Sequence, residues 1–164
     1  MRQRQRPKIA VEIRQAGQGD RQEILGCLAS AFAPYREQYT AEAYADTVLD
    51  DSSLKARMQT MQVIVAVLGA KVIGTVAGAQ FETGEGHLRG MAVMPQYQGS
   101  GISAQLLAAI EAWLGARGCT RVTLDTTLPL LAAMKFYEKN GYSRSGRKSD
   151  FFGMPLIEYV KQLD

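Results

Sequence analysis

Apolar positions along this chain follow two alternating periods. Residues 9–14, rich in β-branched side chains, read as a first strand. Asp20 then offers an N-cap with Glu23 as its capping-box partner, and Ile24, Leu25, Leu28, Ala31 and Phe32 recur at helical spacing. Residues 33–39 contain Pro34 and break that pattern. A second helix is predicted from Thr40, with Tyr44, Ala45, Val48 and Leu49 on one side. Residues 62–68 are β-branched and apolar, Gly69-Ala70 supplies a turn, and residues 71–81 return, which predicts a hairpin. Gly74 and Gly78 inside the return strand predict bulges or the close approach of another backbone. A fourth strand spans 87–94 and ends at Pro95. A long amphipathic helix follows from about Gly101, carrying Leu106, Leu107, Ile110, Trp113 and Leu114 and closing at Arg117-Gly118. Residues 121–125 form a fifth strand. A fourth helix is predicted to be capped near Thr127, to open with Pro129 and to stop at Asn140-Gly141. A closing hairpin, with its turn over 149–155, completes an α/β (α+β) domain built on one twisted sheet.

Length and charge refine this picture. A chain of 164 residues with 46% hydrophobic and 21% charged side chains suits one globular domain. The net charge of +3 suggests an anionic partner. Arg2, Arg4, Arg6 and Lys8 all precede the first acid, however, and taking those four from +3 leaves residues 9–164 at −1. The division expected is a flexible basic tail over 1–8 and a folded domain over 9–164. No apolar run follows the tail, so a secretory signal is not expected, and no aromatic residue interleaves its charges as a nucleic-acid arm would require. Cys27, Cys119 and the one histidine lack metal-ligand spacing, so neither a metal nor a disulfide framework is expected, and a reducing, cytoplasmic setting fits.

The stretch between Arg89 and Glu111 contains no charged residue. Pro95, Gln96, Gln98, Gly99, Ser100 and Gly101 interrupt it, which excludes a membrane span. What remains is a strand, a glycine turn and a helix start, whose free N–H groups suit a diphosphate. No Gly-Lys-Ser/Thr follows, so it is not a P-loop, and it lacks the spacing of a dinucleotide fingerprint. Taken alone, such a turn reads first as the ordinary junction of a strand with a helix.

Val93-Met-Pro-Gln-Tyr-Gln-Gly-Ser-Gly-Ile-Ser-Ala-Gln-Leu-Leu107 closely resembles the acetyl-CoA motif of the GNAT superfamily of N-acetyltransferases, Gln/Arg-x-x-Gly-x-Gly/Ala. Lys135-Phe-Tyr-Glu-Lys-Asn-Gly-Tyr142 resembles that family's late helix segment, and the element order matches over nearly the whole chain. The resemblance implies a largely antiparallel mixed sheet of six to seven strands with about four helices, in which strands four and five splay apart. It implies acetyl-CoA as co-substrate, with the backbone of Met91, Ala92 and Val93 pairing with the pantetheine amides. The pyrophosphate would meet the N–H groups of Gln98, Gly99, Ser100, Gly101, Ile102 and Ser103. The family often carries an asparagine seven residues before the late tyrosine; Leu130 stands there, which puts one polar contact in doubt.

By the same resemblance Tyr137 would protonate the departing thiolate, a task a phenol with pKa near 10 can perform. His87 occupies the place, six before Val93, where the family usually carries a basic carboxylate, and an imidazole can serve at neutral pH. Glu82 and Glu85 are its rivals. Arg89 shares a strand face with His87 and could grip an acceptor carboxylate or form a salt bridge. Tyr35, Arg36 and Tyr39, with Phe151 and Phe152, are candidate acceptor walls or lids. The function expected is acetyl transfer to a primary amine of a small molecule or peptide by direct attack, with a homodimer as a further expectation. The alternatives are a non-catalytic acyl-CoA sensor and a Cys119 thioester route, for which no activating partner is visible.

Overall fold

The hairpin predicted around Gly69 is the seed of the sheet in the computed structural model, which describes residues 10–82 and 84–164. The basic tail over 1–8 and the first residue of the predicted initial strand lie outside the described residues. Seven strands form one sheet: β1 (Glu12–Gln15), β2 (Gln62–Leu68), β3 (Lys71–Glu82), β4 (Glu85–Val93), β5 (Arg121–Thr127), β6 (Ser143–Phe151) and β7 (Met154–Gln162). Their spatial order is β1-β2-β3-β4-β5-β7-β6. Every pairing is antiparallel except β4 with β5, whose connection crosses over through a helix. The expected mixed, largely antiparallel α/β architecture is therefore present.

The described residues contain five α-helices, one more than expected: α1 (Arg21–Phe32), α2 (Ala41–Thr47), α3 (Asp51–Thr60), α4 (Ile102–Ala116) and α5 (Leu131–Lys139). The additional one, α3, buries only Leu54 fully and so shows little apolar periodicity. Its start was legible all the same, because Asp50 and Ser53 form a reciprocal capping box. The box predicted for α1 is absent. The Asp20 carboxylate instead accepts from Gly17 N at 2.7 Å and from Arg14 at 2.7 and 3.0 Å, while Glu23 reaches Val72 N at 3.3 Å. Thr40 caps α2 as predicted, accepting from Ala43 N. α5 starts later than expected, because Thr127 is the last residue of β5 and its hydroxyl meets Tyr39 Oη at 2.8 Å. The predicted 149–155 turn contracts to Phe152-Gly153, since β6 runs through Phe151.

β3 is buried on both faces. On one of them a Cβ at Gly78 would lie 2.7 Å from Ile110 Cγ1, and one at Gly74 would lie 3.0 Å from Leu106 Cδ1. These glycines let α4 settle directly on the sheet, the close approach their positions predicted. Ile102, Leu106, Leu107, Ile110 and Leu114 of α4 are all buried in that contact, each contributing about 1.5–3 kcal/mol. α1 packs against β3 and β4. Tyr142, just past the end of α5, donates to Glu111 Oε2 of α4 at 3.1 Å.

Candidate functional site

β4 and β5 share a ladder only from Glu85↔Arg121 to Leu88↔Leu124. Beyond Leu88, β4 continues along β3, while Asp125–Thr127 of β5 continue along β7. The two strands thus part, leaving one edge of each facing a gap. A bulge in β4 places Gly90 and Met91 opposite the single residue Val76, and Gly90 adopts φ 64°. Met94 N donates to Ile73 O at 2.9 Å, so alternation turns the polar backbone of Val93 toward the gap and that of Ala92 toward β3.

At the wide end of the gap the chain leaves β4 through a short turn and enters α4. Gln98 Nε2 donates to Val93 O at 3.1 Å, and Ser100 Oγ donates to Tyr97 O, bracing the loop from within. Gly99 and Gly101 have φ 78° and 87°. A Cβ on either would meet nothing within 4 Å, so glycine is needed here for the backbone turn while the space in front stays open. No side chain caps α4 and no acid lies in its first turn. The first N–H groups, from Ile102 and Ser103 onward, are left for an anion. On the flank formed by β5, the Thr126 hydroxyl is buried without a hydrogen-bond partner among the described residues. A gap with a free strand edge, an orphaned hydroxyl and an uncapped helix start suits a long ligand carrying amides and phosphates.

The face of β4–β5 away from α4 is polar. His87, Thr123 and Asp125 line a cavity of about 400 Å³ there, with Phe81, Arg147 and Glu158. His87 Nδ1 lies 2.8 Å from Thr123 Oγ1, and its Nε2 lies 3.6 Å from Asp125 Oδ2. Burial holds the imidazole below its ordinary value of 6.5 and Arg89 adds to this, against the pull of Asp125 and Glu158. Burial likewise raises the Asp125 carboxyl, and nearby Glu158 reinforces it. His87 is therefore neutral at neutral pH, the state a base requires. Of its two rivals, Glu85 is held by Arg121 at 2.6 Å, while Glu82 ends β3 and is exposed.

Tyr137 lies on α5, within the apolar core. Only 7% of it is exposed, burial raises its phenol well above the ordinary value of 10.0, and its hydroxyl has no hydrogen bond among the described residues. Phe136 and Tyr142 pack edge-on against its ring at 5.4 and 5.7 Å.

The remaining candidates lie outside the cavity lining. Arg89 is paired with Asp46 of α2 at 2.9 Å. Arg36 lies over the Tyr44 ring at 5.4 Å, Tyr35 packs half-buried against the core, and Tyr39 ties this loop to Thr127. Thr40 Oγ1 donates to Phe152 O at 2.8 Å, drawing the β6–β7 turn, with Phe151 and Phe152, toward α2. Cys119 lies buried just past α4, outside the cavity lining, and burial raises its thiol, which disfavours a thiolate nucleophile. Among the described residues no group of three or more His, Cys, Asp or Glu is placed to hold a metal, and no helix is long and apolar enough to cross a membrane.

Sequence reasoning passed over Asp125, Thr126 and Glu158. Asp125 alternates with Leu124 and sits two places from Thr123, so its face was readable. Glu158 joins the site only because β7 pairs it with Asp125.

Comparison with known proteins agrees with this arrangement. Residues 24–142 match the acetyltransferase (GNAT) family. An aminoglycoside N(6')-acetyltransferase type 1 of Stenotrophomonas maltophilia is 37% identical over 71 residues, 43% of this chain and 46% of that enzyme, so the match spans about half of the relative. PaiA N-acetyltransferase from Thermoplasma acidophilum, solved with coenzyme A, superposes with a TM-score of 0.77 at 18% identity over 94% of this chain and 99% of that one. An acetyltransferase from Streptococcus agalactiae also reaches 0.77, at 20% identity over 93% of this chain and 98% of its own.

Proposed function

We propose that this chain, which belongs to the acetyltransferase (GNAT) family, moves an acetyl group from acetyl-CoA to a primary amine of a small molecule or peptide by direct attack in a ternary complex. The observation that carries this reading is the parting of β4 from β5 beside an uncapped, glycine-led helix. The residues present fit acetyl-CoA. The β4 edge at Met91 and Val93 would meet the pantetheine amides, whereas Ala92, expected to share this task, turns its backbone toward β3. A ligand here would give the buried Thr126 hydroxyl a partner. The N–H groups from Gln98 to Ser103 would meet the pyrophosphate. Bound there, acetyl-CoA supplies a thioester, an acetyl donor activated toward amines.

The chain's own residues handle two protons. His87, neutral and half-buried, takes one from the arriving ammonium, directly or through water, so that the amine can attack the thioester carbonyl carbon. Asp125, raised by burial yet close to His87, steadies the imidazolium that forms. As the new C–N bond forms and the C–S bond breaks, Tyr137 gives its proton to the departing thiolate, and the nitrogen's second proton, which must leave to give the neutral amide, restores the phenol. A phenol held above its usual range stays protonated until a basic group appears beside it. The acceptor enters over the polar face, walled by Tyr35, Arg36 and Arg89. Buried free thiols at Cys27 and Cys119 fit a cytoplasmic setting. The edge strand β6, exposed almost throughout, is where a homodimer contact would form, and light scattering measures it.

Thiol release from acetyl-CoA across amino acids, peptides, polyamines and aminoglycosides tests this reading. Amine-dependent release that is lost in Tyr137→Phe supports it. Tight acetyl-CoA binding with no release on any amine overturns it in favour of a non-catalytic sensor.

A further inference from the structure

Most half-buried arginines of this protein have a visible counterpart. Arg14 meets Asp20, Arg21 meets Asp51 and Arg121 meets Glu85, at 2.7, 3.0 and 2.6 Å. Arg57 on α3 does not. Its guanidinium, half-buried, makes no hydrogen bond or ion pair among the described residues. Asp46, the acid whose charge it feels, is engaged by Arg89 at 2.9 Å. Burial first, and Arg89 second, bring the Arg57 group down from 12.5 to about 10, so it stays charged at neutral pH. A desolvated cation without a counterion is unfavourable unless a ligand supplies one.

The backbone is shaped around this side chain. Arg57 Nη1 lies 2.6 Å from where a Cβ on Gly90 would stand, and Gly90 holds φ 64° in the β4 bulge. Glycine here both permits the bulge and leaves room for the guanidinium. Gly90 is three residues from His87 and one from Met91, which puts the cation beside the β4 bulge, just past the point where β4 leaves β5. The helix start that would take phosphates lies beyond Val93. The cavity around His87 holds both signs of charge, Asp125 and Glu158 with Arg147, and Glu85 paired with Arg121. Arg89 is paired with Asp46, which leaves Arg57 without a partner of its own among the described residues.

We infer that Arg57 anchors a carboxylate of the acceptor, which makes the substrate a small amino acid-like molecule carrying both amine and carboxylate. This inference rests on the acetyl-transfer reading. It also separates this chain from its aminoglycoside-modifying relative, since aminoglycosides carry no carboxylate. A guanidinium fork matches a carboxylate in two parallel hydrogen bonds, which a lysine cannot reproduce.

The experiment compares glycine, β-alanine, phenylalanine and lysine, each against its own carboxamide, with spermidine and kanamycin as carboxylate-free amines. The expected result is that at least one acid exceeds its carboxamide in kcat/KM by about tenfold or more, and that Arg57→Gln removes most of this ratio. Arg57→Lys should restore it only in part. The KM for acetyl-CoA in each variant controls for folding. Equal use of acids and carboxamides, preference for kanamycin or spermidine, or an unchanged ratio in Arg57→Gln overturns the inference while leaving acetyl transfer intact. A second measurement needs no turnover: binding of the N-acetyl amino acids, against their amides, to the coenzyme A complex by calorimetry. Tighter binding of the acids, lost in Arg57→Gln, supports the anchor even if no amine is acetylated. Equal binding of acids and amides overturns it.

Discussion

The two faces of the β4–β5 pair are built from alternate residues of the same short segments, yet they do opposite work. On one face Gly86, Leu88, Val122 and Leu124 lie in or against the core, and a Cβ on Gly86 would come within 2.9 Å of Leu114. On the other, His87, Thr123 and Asp125 line a polar cavity. Alternation lets one strand serve both, because a period of two keeps the faces from mixing. The faces communicate where the strands part. Tyr137 belongs to the packed core and His87 to the polar side, and acetyl transfer as proposed requires the two to act on one reaction.

Substitutions on the two sides should separate chemistry from stability. The largest effect expected is from Tyr137→Phe, which should lower kcat by about 10²–10⁴-fold while the KM for acetyl-CoA stays near wild type. Ile110→Ala, on the packed face, should instead destabilise the protein by about 2–5 kcal/mol in denaturant unfolding, with kcat of the folded fraction retained. A loss of kcat as large as that of Tyr137→Phe would erase the distinction between the faces. His87→Ala should reduce kcat/KM by about 10²-fold, since water can stand in for the base. Its pH profile is the sharper readout. The neutral imidazole is the active form, so kcat/KM should fall as pH drops through the His87 pKa. Burial depresses that pKa, so the midpoint should lie below 6.5, and the limb should vanish in His87→Ala. Asp125→Asn should cost about tenfold or less and move this limb to lower pH, because the opposing charge that favours imidazolium is gone. The smallest change expected is from Thr126→Val, a few-fold loss in coenzyme A affinity measured by calorimetry, with stability unchanged or slightly raised, since an unpartnered buried hydroxyl is removed.

Several parts of the site were legible without coordinates. The glycine turn at 99–101 and the uncharged run around it announce the open, uncapped start of α4. Gly74 and Gly78 announce the close seat of α4, which the 2.7 and 3.0 Å approaches to added Cβ atoms bear out. The misses share a cause. Asp20 and Glu23 have the spacing of a capping box, but Arg14 and the Val72 amide compete for their carboxylates, and partners across the fold are invisible to spacing. Thr127 resembles a helix cap for the same reason, until Tyr39 is found on its hydroxyl. α3 escapes periodicity because only Leu54 of its residues is fully buried.

The sequence by itself determined the order of strands and helices, the face each residue occupies, and the two motifs that mark the family. Those follow from local geometry, where a period of two or of 3.6 and a left-handed glycine leave a trace in neighbouring residues. Only the tertiary structure decided where β4 and β5 separate, that Asp125 and Glu158 stand beside His87, and that Arg57 from a helix thirty residues upstream lies against Gly90. These are long-range juxtapositions, and the energies that set them, burial of charge and the pairing of carboxylates, depend on neighbours the chain meets only when folded.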